Sequence, residues 1–99
     1  MLINDPINVL LIEDEEYDVN RVINTIAPFK DKIKILDIVS DGESALDLFN
    51  SQKGKYHVVI MDYHLTGRLM GESLIQKIKS IDSPVQIIVI TKMTINITD

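Results

Sequence analysis

The chain has 99 residues, of which 45% are hydrophobic and 25% are charged, a composition typical of one globular domain. The net charge is −5 and the ten basic residues are scattered, which argues against direct nucleic-acid binding by this segment. The sequence has no cysteine, which excludes disulfides and thiolate metal sites, and no apolar run approaches the roughly 18 residues of a membrane span. We therefore expect a cytoplasmic protein that does not insert into a membrane.

Apolar strand patterns alternate with amphipathic helix patterns along the chain. Strands are predicted over residues 7–12, 33–39, 56–61 and 85–90. Helices are predicted before Pro28, after Ser40 and over about residues 70–80, and the Ser-x-x-Glu spacing of Ser40 and Glu43 predicts a capping box at the second. The alternation β-α-β-α-β-α-β predicts a single α/β domain with a parallel sheet and helices on both faces.

Acidic and hydroxyl side chains stand where three of the predicted strands end. Glu13 and Asp14 follow the first strand, Asp62 follows the third and Thr91 follows the fourth. Because ligands of open parallel sheets bind outside the carboxyl ends of the strands, we expect these side chains to share one cleft. Carboxylates that lie close together repel each other, and Mg²⁺ prefers oxygen ligands of this kind. The sequence therefore predicts a magnesium site that also accommodates a phosphoryl group.

Asp62 is a candidate nucleophile, since carboxylates form acyl-phosphate intermediates. The Thr91 hydroxyl could donate a hydrogen bond to a phosphoryl oxygen. Taken singly, each residue has a simpler interpretation: the acidic run favours a helix N-terminus, Asp62 suits a turn, and Thr91 ends a strand. Their joint placement at strand ends favours a functional site.

These residues resemble those of the receiver domain (CheY-like) of bacterial two-component response regulators. The resemblance rests on the acidic pair, on the Asp-Gly-Glu-Ser-Ala-Leu of residues 41–46, on Asp62 and on Thr91. It implies a flavodoxin-like doubly wound sheet of order 2-1-3-4. It also implies that Asp62 accepts a phosphoryl group from a histidine kinase or phosphotransfer protein in a phosphorelay.

The resemblance further implies a magnesium ligand set and identifies one unusual residue. Glu13, Asp14, Asp62 and the backbone carbonyl of His64 would surround Mg²⁺. Receivers usually carry a small residue after the threonine, where this chain has Lys92, and we hypothesise that Lys92 slows phosphoryl exchange. The loop after Asp62 also differs, because Thr66 stands where the family usually has proline.

Receivers usually continue with a fifth strand, a lysine that contacts the phosphoryl group, and a final helix. We therefore expect residues 1–99 to be a receiver domain that is incomplete at its C-terminus and part of a longer protein. Without a fifth strand, residues 87–90 would form an exposed apolar edge, and such edges favour pairing with another chain. Self-association through this edge is the expectation.

Two other functions remain open at the level of the sequence. One is a receiver-like interaction module that does not depend on phosphorylation, which the altered loop and Lys92 would suit. The other is a Mg²⁺-dependent aspartyl-phosphate phosphohydrolase, although His64 stands where such enzymes usually carry a second aspartate. We expect a phosphoacceptor that catalyses its own phosphorylation, not an enzyme with a separate substrate.

Overall fold

The computed structural model describes residues 5–63 and 71–90. The elements are strands β1 (Ile7–Ile12), β2 (Ile33–Val39), β3 (Val58–Asp62) and β4 (Gln86–Ile90), helices α1 (Glu16–Ile26), α2 (Gly42–Ser51) and α3 (Gly71–Ile81), and a short 3₁₀ helix at Ala27–Phe29. Pro28 lies inside this 3₁₀ turn, directly after α1, where the sequence predicts the helix to end. No helix in the described ranges is long and apolar enough to cross a bilayer.

The four strands form one parallel sheet in the order β2-β1-β3-β4. This order confirms the predicted 2-1-3-4 arrangement. β1 lies in the interior of the sheet, and its residues from Val9 to Ile12 are buried, as expected for a continuously apolar strand. The weaker alternating pattern of β2 corresponds to an edge strand.

One face of the sheet, which we call the core face, packs against α2 and α3. Every second residue of a strand points to this face, and these strand residues form the sheet side of the core. Buried residues of α2 and α3 form its helix side. The fully buried members are Leu10, Ile12, Ala45, Phe49, Val59, Met61, Leu74, Ile78 and Val85. Burial of these side chains fixes the register of β1 against β3, and that register positions the residues that follow the two strands.

The opposite face carries α1, so the predicted placement of helices on both faces is confirmed. Ile23 and Ile26 of α1 line an open groove of about 380 Å³ together with Ile33, Ile35 and Ile38 of β2. Ile35 and Ile38 are in register with Val9 and Leu11, which alternate with the core-face residues of β1. We call this side of the sheet the α1 face.

Two strands begin later than predicted, and the third strand also ends one residue later, at Asp62 instead of residue 61. The third strand begins at Val58 instead of residue 56, because His57 is bound to the backbone of Asn8: its backbone N–H donates to the Asn8 carbonyl (2.9 Å) and its Nδ1 accepts from the Asn8 N–H (2.9 Å). Tyr56 packs its ring against Phe49, with centroids 5.4 Å apart. The fourth strand begins at Gln86, one residue later than predicted.

The capping box predicted with Ser40 is also wrong. The N-cap of α2 is Asp41, whose Oδ1 accepts a hydrogen bond of 2.7 Å from the N–H of Ser44. An ionised carboxylate accepts a stronger hydrogen bond than a hydroxyl does, which favours Asp41 over Ser40 at this position. This hydrogen bond is also the main cause that lowers the pKa of Asp41.

Candidate functional site

Three carboxylates meet at the carboxyl edge of the sheet. Glu13 and Asp14 directly follow β1, and Asp62 is the last residue of the adjacent β3. One carboxylate oxygen from each of the three lies within 4.8 Å of the others. Asp62 is 4% exposed and Glu13 is 7% exposed, whereas Asp14 is more open. The structure thus brings together the three carboxylates that the sequence predicts to converge.

Backbone hydrogen bonds hold both sides of this carboxylate cluster. The N–H of Glu13 donates to the carbonyl of Val39 in β2 (2.9 Å), so the chain stays paired one residue beyond β1. On the other side, the N–H of Tyr63 donates to the carbonyl of Ile90 in β4 (3.1 Å). The site therefore rests on the rigid sheet, which is the kind of support that holds functional groups in a fixed geometry.

The electrostatics of Glu13 show the cost of this convergence. Burial, above all, raises the pKa of Glu13 from its ordinary 4.5 to about 6. The negative charges of Asp62 and Asp18 and a hydrogen bond with Asp14 act in the same direction. The N–H of Glu15, which donates to Glu13 Oε1 at 3.1 Å, opposes them. The negative charges of the cluster therefore destabilise the folded protein, and a bound cation would relieve this destabilisation.

Asp18 is a residue that sequence reasoning missed. It lies in the first turn of α1, is 8% exposed, and is close enough to Glu13 for its charge to raise the pKa of that carboxyl. Arg21 Nη1 lies 3.6 Å from Asp18 Oδ1. A signal was present, because Asp18 lies four positions before Val22 and therefore next to the apolar stripe of the helix. A buried aspartate at that place brings a fourth negative charge near the site.

The chemistry of the donors fits Mg²⁺. The cation takes oxygen ligands, and one or two carboxylates with additional water or phosphate oxygens are a common protein contribution. Glu13, Asp14 and Asp62 supply oxygens only, with neither nitrogen nor sulfur among them. Within residues 5–63 and 71–90, this is the one group of three or more acidic or imidazole side chains close enough to hold a metal ion.

The remaining predicted site residues lie outside the described part of the chain. These are His64 with its backbone carbonyl, Thr91 and Lys92. Thr66 of the loop after Asp62 lies outside it as well. His57, the other histidine, is a structural residue through its hydrogen bonds to Asn8 and takes no part in the carboxylate cluster.

Comparison with known proteins agrees with this arrangement. The family model for the response regulator receiver domain matches residues 9–98. The chain belongs to this family. The match includes every predicted site residue of this receiver, from Glu13 to Lys92. No curated protein sequence matches the chain.

Solved structures share the receiver fold. The RcsB response regulator of Salmonella typhimurium superposes with a TM-score of 0.79 at 20% identity, covering 90% of this chain and 44% of that one. The isolated receiver domain of RcsB, studied with the phosphomimetic BeF₃⁻, gives 0.79 at 19% identity, with 92% and 65% coverage. The signal receiver domain of a modulated diguanylate cyclase from Desulfovibrio desulfuricans G20 gives 0.74 at 19% identity, with 90% and 67% coverage. The present chain thus spans less than half of the longer RcsB chain.

Proposed function

We propose that this receiver domain accepts a phosphoryl group on Asp62 in a Mg²⁺-dependent reaction, from a histidine kinase or a phosphotransfer protein of a two-component phosphorelay. The observation that carries the proposal is the convergence of the Glu13, Asp14 and Asp62 carboxylates within 4.8 Å at the carboxyl edge of the sheet. Membership of the receiver family supports it. The proposed setting is the cytoplasm.

In the proposed reaction, an Asp62 carboxylate oxygen forms a bond to phosphorus. The phosphorus–nitrogen bond of the donor phosphohistidine breaks, and its electron pair stays on the imidazole nitrogen. Asp62 is suited to the attack because the Tyr63–Ile90 backbone hydrogen bond fixes the end of β3. Magnesium, when bound, would neutralise the charge on the phosphoryl oxygens. Glu13 and Asp14 would hold that ion together with the His64 carbonyl, and Thr91 would donate a hydrogen bond to one phosphoryl oxygen.

The product of this reaction is an aspartyl phosphate that stays on the chain, so we propose a phosphoacceptor and not an enzyme that turns over a separate substrate. The test is incubation of the full chain with acetyl phosphate, with Mg²⁺ or with EDTA. The expected result is one phosphoryl adduct per chain with Mg²⁺, stable in acid and labile in base. Asp62→Asn should abolish the adduct.

A matched control uses a second buried aspartate. Asp82 is 7% exposed and precedes the amino end of β4, whereas the carboxylate cluster lies at the carboxyl ends of the strands. Its carboxylate accepts a hydrogen bond from the N–H of Gly54 (3.2 Å). Asp82→Asn should therefore retain labelling. Labelling that persists in Asp62→Asn would overturn the assignment. Failure of the wild type to label while it binds a partner protein would support a phosphorylation-independent module, and rapid multiple turnover would support a phosphohydrolase.

Lys92 is proposed as a modulator of the same site. It follows the predicted phosphoryl-binding Thr91, and its bulk would narrow the approach of a phosphodonor. Lys92→Ala should accelerate both labelling by acetyl phosphate and loss of the label. Unchanged rates of both steps would remove this role for Lys92.

A further inference from the structure

Tyr63 directly follows Asp62 and continues β3 by one residue. Its backbone N–H donates to the carbonyl of Ile90 in β4 (3.1 Å), so the pairing of the two strands extends to Tyr63. Alternate residues of a strand point to the same face of a sheet, which places the Tyr63 side chain in one row with Val59 and Met61. Both of those residues are buried in the core. The Tyr63 ring therefore lies on the core face, at the carboxyl end of β3.

The Tyr63 ring contacts Gly71, the first residue of α3. A Cβ atom at Gly71 would lie 3.5 Å from both Cε1 and Cζ of the ring and 3.8 Å from its Oη. Gly71 is buried, whereas Tyr63 is 39% exposed, so the ring covers the backbone of Gly71 and keeps part of its own surface open to solvent. This contact joins the end of β3, which carries Asp62, to the beginning of α3.

Gly71 has a backbone conformation that favours glycine. Its φ is +55°, in the left-handed region where a residue with a Cβ atom is strained. An alanine side chain would meet the Tyr63 ring at an ordinary van der Waals distance, so the cost of Gly71→Ala lies in the backbone and not in a clash. Relief of that strain would change the start of α3 and displace the surface on which the ring rests. Either residue can therefore disrupt the same contact.

We propose that Tyr63 is a positioning residue for Asp62, because its ring, packed on Gly71, fixes the orientation of the phosphoacceptor carboxylate. This role rests on the function proposed for Asp62. Successive side chains of a strand point to opposite faces, so a rotation of the strand end that tilts the Asp62 carboxylate must also lift the ring from Gly71. The backbone hydrogen bond to Ile90 fixes the position of the strand end, and the ring contact fixes its rotation about the strand axis.

The orientation of Asp62 matters because its carboxylate serves two purposes in the proposed reaction. One oxygen must stay within 4.8 Å of the carboxylate oxygens of Glu13 and Asp14 to share a cation with them. An oxygen must also be aligned with the phosphorus atom of the donor, and a misplacement of about 1 Å can lower a rate by about 100-fold. Loss of the Tyr63 ring should therefore slow phosphoryl transfer, although the ring itself contacts no reacting atom.

The first test compares Tyr63→Ala with Tyr63→Phe in the full chain, with acetyl phosphate as the donor and saturating Mg²⁺. Tyr63→Ala should be labelled about tenfold more slowly than the wild type. Tyr63→Phe should be labelled at nearly the wild-type rate, because the closest contacts to Gly71 come from ring carbons. Tyr17→Ala, which removes a 73% exposed tyrosine from the first turn of α1, is the matched control and should keep the wild-type rate. Urea unfolding of each variant gives the folded fraction by which the rates are corrected.

A double-variant cycle tests whether Tyr63 acts through Gly71. Gly71→Ala should slow labelling to a similar extent as Tyr63→Ala, since both disrupt one contact. The variant that carries both substitutions should then be no slower than the slower single variant. Two independent effects would multiply instead, to about a hundredfold loss of rate.

Proton NMR in EDTA provides a readout that needs neither metal nor phosphate. The ring current of Tyr63 should shift the Hα resonances of Gly71 in the wild type and in Tyr63→Phe, and this shift should disappear in Tyr63→Ala. A wild type that shows the shift but is never labelled would overturn the function proposed for Asp62 and this role with it. A labelled wild type without the shift, an unchanged labelling rate in folded Tyr63→Ala, or multiplied effects in the double variant would overturn the role of Tyr63 alone.

Discussion

Replacing Glu13 with glutamine should stabilise the metal-free protein at neutral pH. Glu13 is 7% exposed, and the negative charges of Asp62 and Asp18 lie close enough to raise its pKa. Glutamine has the same shape and can accept the same hydrogen bond from the N–H of Glu15 that now measures 3.1 Å. It is neutral at every pH, so the repulsion and the burial of a charge both disappear. A variant in the proposed metal site is thus expected to be more stable than the wild type.

The magnitude and its pH dependence follow from the pKa of Glu13. The pKa rises from 4.5 to about 6 on folding, and at about 1.4 kcal/mol per pKa unit this corresponds to about 2 kcal/mol. A raised carboxyl pKa means that the neutral form favours the folded state. That stabilisation is fully present below pH 4.5 and is lost as the pH rises through about 6. Glu13→Gln should therefore equal the wild type near pH 4 and exceed it above pH 7.

Urea unfolding in EDTA from pH 4 to pH 8 measures this difference. With an m-value of about 1 to 2 kcal/mol/M, the midpoint of Glu13→Gln should lie about 1 to 2 M higher at neutral pH. Adding Mg²⁺ should raise the midpoint of the wild type much more than that of the variant, because the ion would relieve the same repulsion. Asp31→Asn, which removes an exposed charge in the turn before β2, is the control and should show no such pH dependence. If Glu13→Gln were equal to or less stable than the wild type at pH 7.5, the reasoning would be refuted.

Three further outcomes test neighbouring parts of the structure. Asp41→Ala should lower the free energy of unfolding by about 1 kcal/mol, because the N–H of Ser44 loses its capping partner, whereas Asp41→Ser should restore most of this stability. Equal urea midpoints for the wild type and both variants would contradict the role of Asp41 as the N-cap. Asp18→Asn should lower the pKa of Glu13 below about 6, and an unchanged carboxyl titration by NMR would contradict their electrostatic interaction. Burial, followed by the hydrogen bond to the Asp37 carboxylate, raises the pKa of Tyr56 above 10, so its neutral form stabilises the fold below pH 10 and this contribution is lost at higher pH. Tyr56→Phe should therefore remove the most alkaline step of the phenol absorbance titration, and retention of that step would contradict the raised pKa.

The sheet and the carboxylate cluster could be predicted because they depend on patterns that repeat along the chain. A continuously apolar strand needs cover on both faces, which predicted the burial of β1. Parallel strands end at one edge, which brought Glu13 and Asp62 together. These inferences need only hydrophobicity and chain direction, whereas the strand order 2-1-3-4 was predicted from the resemblance to the receiver family.

Features that depend on which of several possible partners a side chain contacts could not be predicted. The Ser-x-x-Glu spacing was a valid capping signal, but the carboxylate of Asp41 provides a stronger acceptor one residue later. Aspartate in a helix is usually exposed to solvent, and the burial of Asp18 depends on how α1 lies against the sheet. His57 binds the backbone of Asn8, 49 residues away, a contact that no local pattern encodes.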